Sequence, residues 1–189
     1  MPILIIYASP HGSTRAIAER ISSRIASQIP PTEVHALSDI DPATLSSYTA
    51  IVIGSAVHKV AWLHDATTFV HANSTALANL PVFAFSVGAP AGMPKFVRAR
   101  FERSEEKRLE GAVEKELKSG KATLEAHKLF NGKFEREDAG WCVRTMFACF
   151  GGRFGDFTDW DTVDKWADTI VAKLNKPVTG EGEGGGAGN

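Results

Sequence analysis

The sequence predicts an α/β fold in which a doubly wound parallel sheet carries helices on both faces. The first observation is a series of five short apolar runs, each suited to a strand that is buried on both sides. The second is that segments with a helical spacing of apolar residues separate these runs. Strands that alternate with helices favour parallel pairing, and right-handed crossovers leave few topologies. The five runs are Ile3–Ala8, Glu33–Leu37, Ala50–Gly54, Pro81–Ser86 and His127–Phe134.

The helices follow from the spacing of apolar side chains between the strands. After the first strand, isoleucines recur every four residues, which is the spacing of one helix face; they are Ile17, Ile21, Ile25 and Ile29. The segment Phe101–Lys118 is rich in charges and predicts a helix with a solvated outer face. The last helix carries an apolar face from Val163 to Leu174. Thr158 and Asp161 have the spacing of a capping box at its start.

Composition indicates one globular domain over residues 1–175 and a glycine-rich tail over 176–189, which we expect to be disordered. The net charge of −1 gives no basic field for nucleic acid. Cys142 and Cys149 lie seven residues apart in a segment of helical spacing, too far for a disulfide and without the spacing of a zinc site. No apolar run approaches the ~20 residues of a membrane span, and the apolar start lacks a basic leader. We therefore expect a cytoplasmic protein.

Three loops are candidates for a ligand site because each follows a predicted strand directly. They comprise residues 9–14, 54–65 and 86–95. In open α/β sheets, ligands bind beyond the carboxyl ends of the strands, where the strand order reverses. We therefore expect a small-molecule site where these loops meet, and we expect no metal.

The first loop has the composition of a phosphate site. Ser9, Gly12, Ser13 and Thr14 offer hydroxyl and backbone N–H groups where the first helix begins, and His11 lies among them. A helix N-terminus binds anions through free N–H groups and the positive end of its dipole. The loop lacks the Gly-Lys-Ser/Thr of a Walker motif and the G-x-G-x-x-G of a dinucleotide site. The alternative is a strand–helix turn in which Ser and Thr only cap the helix.

The stretch "YASPHGSTRAIAERI" resembles the flavodoxin phosphate loop, which wraps the 5′-phosphate of FMN, with His11 where a hydroxyl residue is usual. The segments "AIVIGSAVHKVAWLHDATTFV", "LPVFAFSVG" and "FGDFTDWDTVDKWADTI" are similar to the menaquinone-dependent protoporphyrinogen IX dehydrogenases of flavodoxin type. The resemblance implies a five-stranded flavodoxin-like sheet of order 2-1-3-4-5 and an FMN cofactor. It implies a cofactor-binding set of Ser9, His11, Gly12, Ser13, Thr14, Ser55, Ala56, Val57, Trp62, Ser86, Val87, Gly88 and Gly92.

Two loops would surround the flavin ring. Trp62 offers a flat face for stacking, and Ser55 could bond the polar edge of the ring; the alternative for Trp62 is that it caps the core beside Leu63. The loop that begins at Ser86 is rich in Gly, Ala and Pro, so its backbone can approach a flat ring, or it is a simple turn.

The charge of the second loop bears on the type of redox chemistry. His58, Lys59 and His64 make it neutral to basic. A cation near the ring stabilises a negatively charged reduced flavin, which suits two-electron oxidation of a substrate better than low-potential electron carriage. His58 is the candidate proton relay because its unperturbed pKa lies near neutral, and a solvated loop histidine is the alternative.

The resemblance implies an oxidoreductase that oxidises a protoporphyrinogen-like substrate and passes electrons to a quinone. In residues 139–157, an apolar helical face with Arg144 and Arg153 suits propionate groups and a peripheral membrane contact through residues 141–157, at the inner face of the membrane; ordinary core packing is the alternative. Lys59-Val60-Ala61-Trp62 departs from the Tyr-Gly-His-Tyr of those dehydrogenases. The alternatives are a single-electron carrier and a flavin-free interaction module. A homo-oligomer is a further expectation.

Overall fold

The computed structural model describes residues 2–88, 95–134 and 154–176. Its central sheet has the order β2-β1-β3-β5-β6, all parallel, and β4 pairs with β3 in antiparallel fashion. The five parallel strands thus have the predicted order 2-1-3-4-5, and the doubly wound fold is confirmed. The strands are β1 (Ile3–Ala8), β2 (Thr32–Ala36), β3 (Ala50–His58), β4 (Ala61–Trp62), β5 (Val82–Gly88) and β6 (Leu124–Asn131), with a separate pair β7 (Lys133–Phe134) and β8 (Gly155–Asp156).

Helices cover both faces of the sheet. The described helices are α1 (Ser13–Ala26), α2 (His64–Ala72), α3 (Ser74–Leu77), α4 (Lys95–Lys118) and α5 (Trp160–Leu174). The apolar sides of α1 and α5 pack on one face, around Phe83 and Phe85. The apolar sides of α2, α3 and α4 pack on the other, around Ile51 and Ile53. Because both faces are covered, the central strands are apolar without alternation.

The carboxyl ends of two strands differ most from their predicted limits. β3 continues past Gly54 to His58 and then turns back into β4. β6 ends at Asn131, and Lys133–Phe134 form the separate strand β7 instead of continuing the sheet. Gly132 alone separates the two strands. Both differences lie at the carboxyl edge of the sheet, where the loops of interest begin.

Helix α5 begins one residue later than the capping-box pattern predicts. Its N-cap is Asp159, whose Oδ1 accepts a hydrogen bond from the N–H of Thr162 at 3.2 Å. Thr158 instead donates its hydroxyl and its backbone N–H to Asp156. A carboxylate at the N-cap also interacts favourably with the helix dipole, which accounts for the choice of Asp159.

Some predictions lie outside the described residues. They concern Gly92, the pair Cys142 and Cys149, Arg144 and Arg153, nearly all of the 139–157 segment and the tail after residue 176. Among the helices that the structure describes, none is long and apolar enough to cross a membrane.

Candidate functional site

The predicted loops meet at one edge of the sheet. β1, β3 and β5 are neighbours, and their register aligns Ala8 with Ser55 and Ser55 with Ser86. Because the three strands are parallel, the residues that follow them emerge side by side. The structure therefore brings together residues 9–14, 55–63 and 86–88, as the sequence predicts.

The first loop turns into α1 through a left-handed residue. Gly12 has φ +86° and is the N-cap of α1, and no side chain caps this helix end. The Ser9 hydroxyl accepts a hydrogen bond from the Gly12 N–H at 3.0 Å, and the Gly12 carbonyl accepts from the Ala16 N–H at 3.0 Å. Ser9 thus stabilises the conformation of the loop. Neither Ser13 nor Thr14 is the N-cap of α1, as they would be if the loop were only a capped strand–helix turn.

Thr14 has a buried hydroxyl that no described group satisfies. Its side chain is 1% exposed, yet its Oγ1 is buried and forms no hydrogen bond within the part of the chain that the structure describes. An unsatisfied buried hydroxyl costs about 1–3 kcal/mol. The first turn of α1 contains no acidic residue, and the first N–H groups of a helix have no intrahelical partner. A phosphate placed here would meet hydroxyl and amide donors and the positive end of the helix dipole.

The polar side chains of the second loop bond to the protein itself. Ser55 is fully buried; its hydroxyl donates to the Ala56 carbonyl at 2.9 Å and accepts from the Leu63 N–H at 3.1 Å. Trp62 is 7% exposed and packs with the α2 and α4 face of the core. This position favours the core-capping interpretation of Trp62, and its stacking on a flavin stays a prediction. Ala56 and Val57 lie half-buried on β3, where backbone groups are the available contacts.

The second loop reverses direction in a two-residue turn. Val57 pairs with Trp62 and His58 with Ala61, which leaves Lys59 and Val60 as the turn. Both have positive φ, 51° and 61°, a conformation that Gly or Asn usually supplies. His58 and Lys59 are exposed. The hairpin thus presents a cation and a titratable imidazole to the solvent near the carboxyl edge.

The hairpin is joined to β5 and β6 by a chain of polar side chains that the sequence did not predict. The Trp62 indole N–H donates to the Ser86 hydroxyl at 2.7 Å, and Ser86 Oγ lies 2.8 Å from His127 Nε2. Desolvation by burial lowers the pKa of His127 to about 4, against a smaller opposing effect of Glu106. His127 is therefore neutral at pH 7. A single histidine in a strand has no spacing that signals such a contact, so the sequence offered no way to find it.

Gly132 is a second residue that sequence reasoning missed. It is buried just after β6, and its N–H donates to the Gly88 carbonyl at 2.8 Å. A Cβ at this position would lie 2.6 Å from Val87 Cγ1 and 3.3 Å from Ser13 Cβ. Only glycine lets the exit of β6 lie this close to the end of β5 and to the first loop. The Asn131-Gly132 pair, a common turn signal, marks this position in the sequence.

A cavity of about 630 Å³ lies beside the first loop on its β2 side. Ser9 and Pro10 form one wall, the end of β2 at Ala36 another, and residues 63–69 of α2 and the turn before it a third. Its lining is mostly apolar. Among the described residues, no group of His, Cys, Asp and Glu side chains forms a metal site.

The remaining predicted residues take clear positions. Ser13 lies half-buried against Gly132, and His11 is exposed at the tip of the first loop. Val87 and Gly88 end β5 at the same edge, with Val87 buried and Gly88 half-buried. Of the predicted residues that the structure describes, the first loop and the ends of β3 and β5 form one continuous region. The side chains of Ser55, Trp62 and Ser86 turn away from it into the core.

Comparison with known proteins gives one family and many solved structures. Residues 4–154 match the flavodoxin domain. Flavodoxin 2 of Bacillus cereus is 19% identical with a TM-score of 0.59, over 92% of this chain and 99% of that one. A flavodoxin from the domain Archaea is 16% identical with a TM-score of 0.57, over 93% and 100%. Rubredoxin oxygen oxidoreductase from Desulfovibrio gigas is 12% identical with a TM-score of 0.58, over 93% and 37%. A comparison with curated protein sequences gives no match.

Proposed function

The chain belongs to the flavodoxin domain family, and from this we propose that it is an FMN-dependent oxidoreductase. It would take two electrons from an organic substrate of the protoporphyrinogen class and pass them to a quinone. The observation that carries the FMN part is the unsatisfied Thr14 hydroxyl at the start of α1.

The first loop would hold the 5′-phosphate. Thr14 Oγ1 supplies a donor that has no partner within the described protein, and the left-handed Gly12 lets the backbone N–H groups of Ser13 and Thr14 face one point. Ser9 keeps the loop in this shape through its bond to Gly12. The absence of an acidic residue in the first turn leaves the helix dipole free to stabilise an anion.

The backbone at the ends of β3 and β5 would form the walls for the flavin ring. Because the side chains of Ser55, Trp62 and Ser86 are turned into the core, the groups that remain for a ligand are the peptide units of Ala56, Val57 and Gly88. Peptide N–H and C=O groups suit the alternating donors and acceptors along the polar edge of an isoalloxazine. The flavin, when bound, supplies the capacity to accept an electron pair from the substrate.

The charges of the second loop favour two-electron chemistry. Between Gly54 and His64 the sequence contains no acidic residue, whereas His58 and Lys59 are exposed on the hairpin. A cation close to the ring stabilises the negative charge of a fully reduced flavin. His58, exposed on the same hairpin, would be the proton relay.

The substrate and the acceptor rest on the resemblance of residues 50–70 and 154–170 to the protoporphyrinogen dehydrogenases. One structural neighbour is named an oxidoreductase. A second candidate function is supported by the other neighbours, which are named flavodoxins and align over nearly their full length. That function is single-electron transfer between protein partners.

Anaerobic turnover with a redox titration distinguishes these functions. We expect the purified chain to bind FMN, to oxidise protoporphyrinogen IX with a menaquinone analogue, and to accept both electrons over a narrow range of potential. FMN binding without turnover, with the two one-electron potentials far apart, would identify a carrier instead. A chain that binds no flavin under any reconstitution condition would be an interaction module.

A charge reversal tests the role of the hairpin cation. Lys59→Glu is expected to lower the potential of the second electron, because it places a negative charge near the reduced ring. Lys115→Glu is the matched control, since Lys115 lies in the last turn of α4, toward the opposite edge of the sheet. Equal shifts in both variants would contradict the proposed role of Lys59.

A further inference from the structure

We propose that Trp62, Ser86 and His127 form a clamp that holds the β3–β4 hairpin in its strained conformation and thereby positions it beside the cofactor. The cofactor part of this inference rests on the proposed function. The clamp itself is a property of the protein without ligand, so it can be tested separately. We treat these three as positioning residues, because Trp62 and His127 each bond to Ser86 within the protein.

The hairpin has little to stabilise it locally. Its ladder consists of two residue pairs, Val57 with Trp62 and His58 with Ala61. A hairpin of this size is marginal in water without packing against other elements. The turn also raises the conformational free energy of the hairpin, since Lys59 and Val60 both have positive φ and Val60 is β-branched. Strained backbone of this kind persists only where the surrounding structure fixes it.

The hydrogen bonds of the clamp hold the hairpin in this conformation. Trp62 follows Ala61 on the returning strand β4, and its indole N–H donates to the Ser86 hydroxyl on β5 at 2.7 Å. The Ser86 hydroxyl also hydrogen-bonds to His127 Nε2, 2.8 Å away on β6. The bond from Leu63 N–H to Ser55 fixes the next residue to β3. The returning strand of the hairpin is thus bonded directly to β3 and β5, and through Ser86 to β6.

The Ser86–His127 bond forms in either histidine tautomer. The serine hydroxyl can donate to a bare Nε2, or its oxygen can accept a second bond, from Nε2–H. In both cases His127 Nδ1 is buried and has no partner in the described structure. The bond at Nε2 therefore joins β6 to the chain of bonds that ends at the hairpin, whichever nitrogen carries the proton.

Hydrogen exchange of the protein without flavin tests the clamp. Trp62→Phe keeps an aromatic ring in the core and removes the N–H donor together with one ring of the indole. We expect the amides of residues 58–61 to exchange about three- to tenfold faster in this variant, the population change that one hydrogen bond of ordinary strength produces. Trp160→Phe is the control, because Trp160 is 40% exposed at the start of α5. Ser86→Ala, which removes the acceptor, is expected to give the same change.

A rescue variant distinguishes positioning from general loss of packing. Val60→Gly removes the backbone strain of the turn, since glycine adopts positive φ without cost. In the Val60→Gly background, Trp62→Phe is expected to accelerate exchange less than about twofold, because a relaxed turn needs the clamp less. General damage to the core would give the full acceleration in both backgrounds, and this result would overturn the inference.

The reduction potential of bound FMN tests the link to the cofactor. Trp62→Phe is expected to shift the potentials of the bound flavin and to weaken FMN binding about three- to tenfold, while Trp160→Phe changes neither. Faster exchange with unchanged potentials and affinity would overturn the positioning role. Unchanged exchange would overturn the clamp. A wild-type chain that binds no FMN would refute the proposed function and the cofactor part of this inference, and the exchange result would still decide the clamp.

Discussion

Replacing Thr14 by valine should have opposite effects on the protein with and without its cofactor. Valine has nearly the same shape as threonine and lacks the hydroxyl, so the substitution removes the one atom in question. Without ligand, Oγ1 of Thr14 is buried and has no hydrogen-bond partner in the described structure, which costs about 1–3 kcal/mol. We therefore expect Thr14→Val to raise the free energy of unfolding of the flavin-free protein by about that amount.

When FMN is present, the same substitution is unfavourable, because it weakens FMN binding. A hydrogen bond from a hydroxyl to a charged phosphate contributes about 1.5–3 kcal/mol, and each 1.4 kcal/mol corresponds to about tenfold in affinity. The Kd for FMN should therefore rise about 10- to 100-fold in Thr14→Val. A control is Thr169→Val, since the hydroxyl of Thr169 is exposed on α5 and bonds to the Lys165 carbonyl. We expect it to change stability by less than about 0.5 kcal/mol and FMN affinity not at all.

Urea denaturation of the flavin-free protein and fluorescence titration with FMN measure the two effects. A Thr14→Val protein that is less stable without flavin would mean that the hydroxyl is satisfied in the free protein. Unchanged FMN affinity would mean that the phosphate lies elsewhere. Either result would refute the assignment of Thr14 to the phosphate site.

Three further outcomes follow from the same structure. Gly12→Ala should cost about 1–2 kcal/mol in thermal denaturation because φ is +86°, and should reduce FMN retention, whereas Gly111→Ala inside α4 should gain up to about 1 kcal/mol. Gly132→Ala should cost about 1–3 kcal/mol through the clash with Val87 Cγ1, and adding Val87→Ala should recover most of it in the same assay. The pKa of His127 is about 4 in the folded chain, so the unfolded chain binds the extra proton as pH falls from 6.5 to 4. The unfolding free energy should fall by about 3 kcal/mol over this window, and His127→Gln should flatten that fall in urea denaturation.

The fold was predictable because its signals are local and repeated. Strands such as Ile3–Ala8 are buried on both faces and are therefore apolar without interruption. The isoleucines of α1 follow the helical period, and those at 17, 21 and 25 are fully buried. The true end of β3 was not predictable in this way. Ser55 interrupts the apolar run, and only the fold provides the Leu63 N–H and the Ala56 carbonyl that satisfy its hydroxyl.

The candidate site was predictable in its backbone and less so in its side chains. Gly12 and Thr14 lie where the loop composition places them, since a strand followed by small polar residues and a helix leaves little freedom. The directions of Ser55, Trp62 and Ser86 depend on contacts between strands that are distant in sequence. Trp62 and His127 meet only through Ser86, over separations of 24 and 41 residues, and no periodicity encodes such a contact.

Titration of the flavin-free chain with FMN and with riboflavin tests the phosphate site most directly, because the two ligands share the ring and differ in the 5′-phosphate. We expect one FMN to bind per chain and riboflavin to bind at least about tenfold more weakly, the loss of one or more charge-assisted hydrogen bonds. Equal affinities, or no binding of FMN, would contradict a phosphate site formed by Gly12, Ser13 and Thr14.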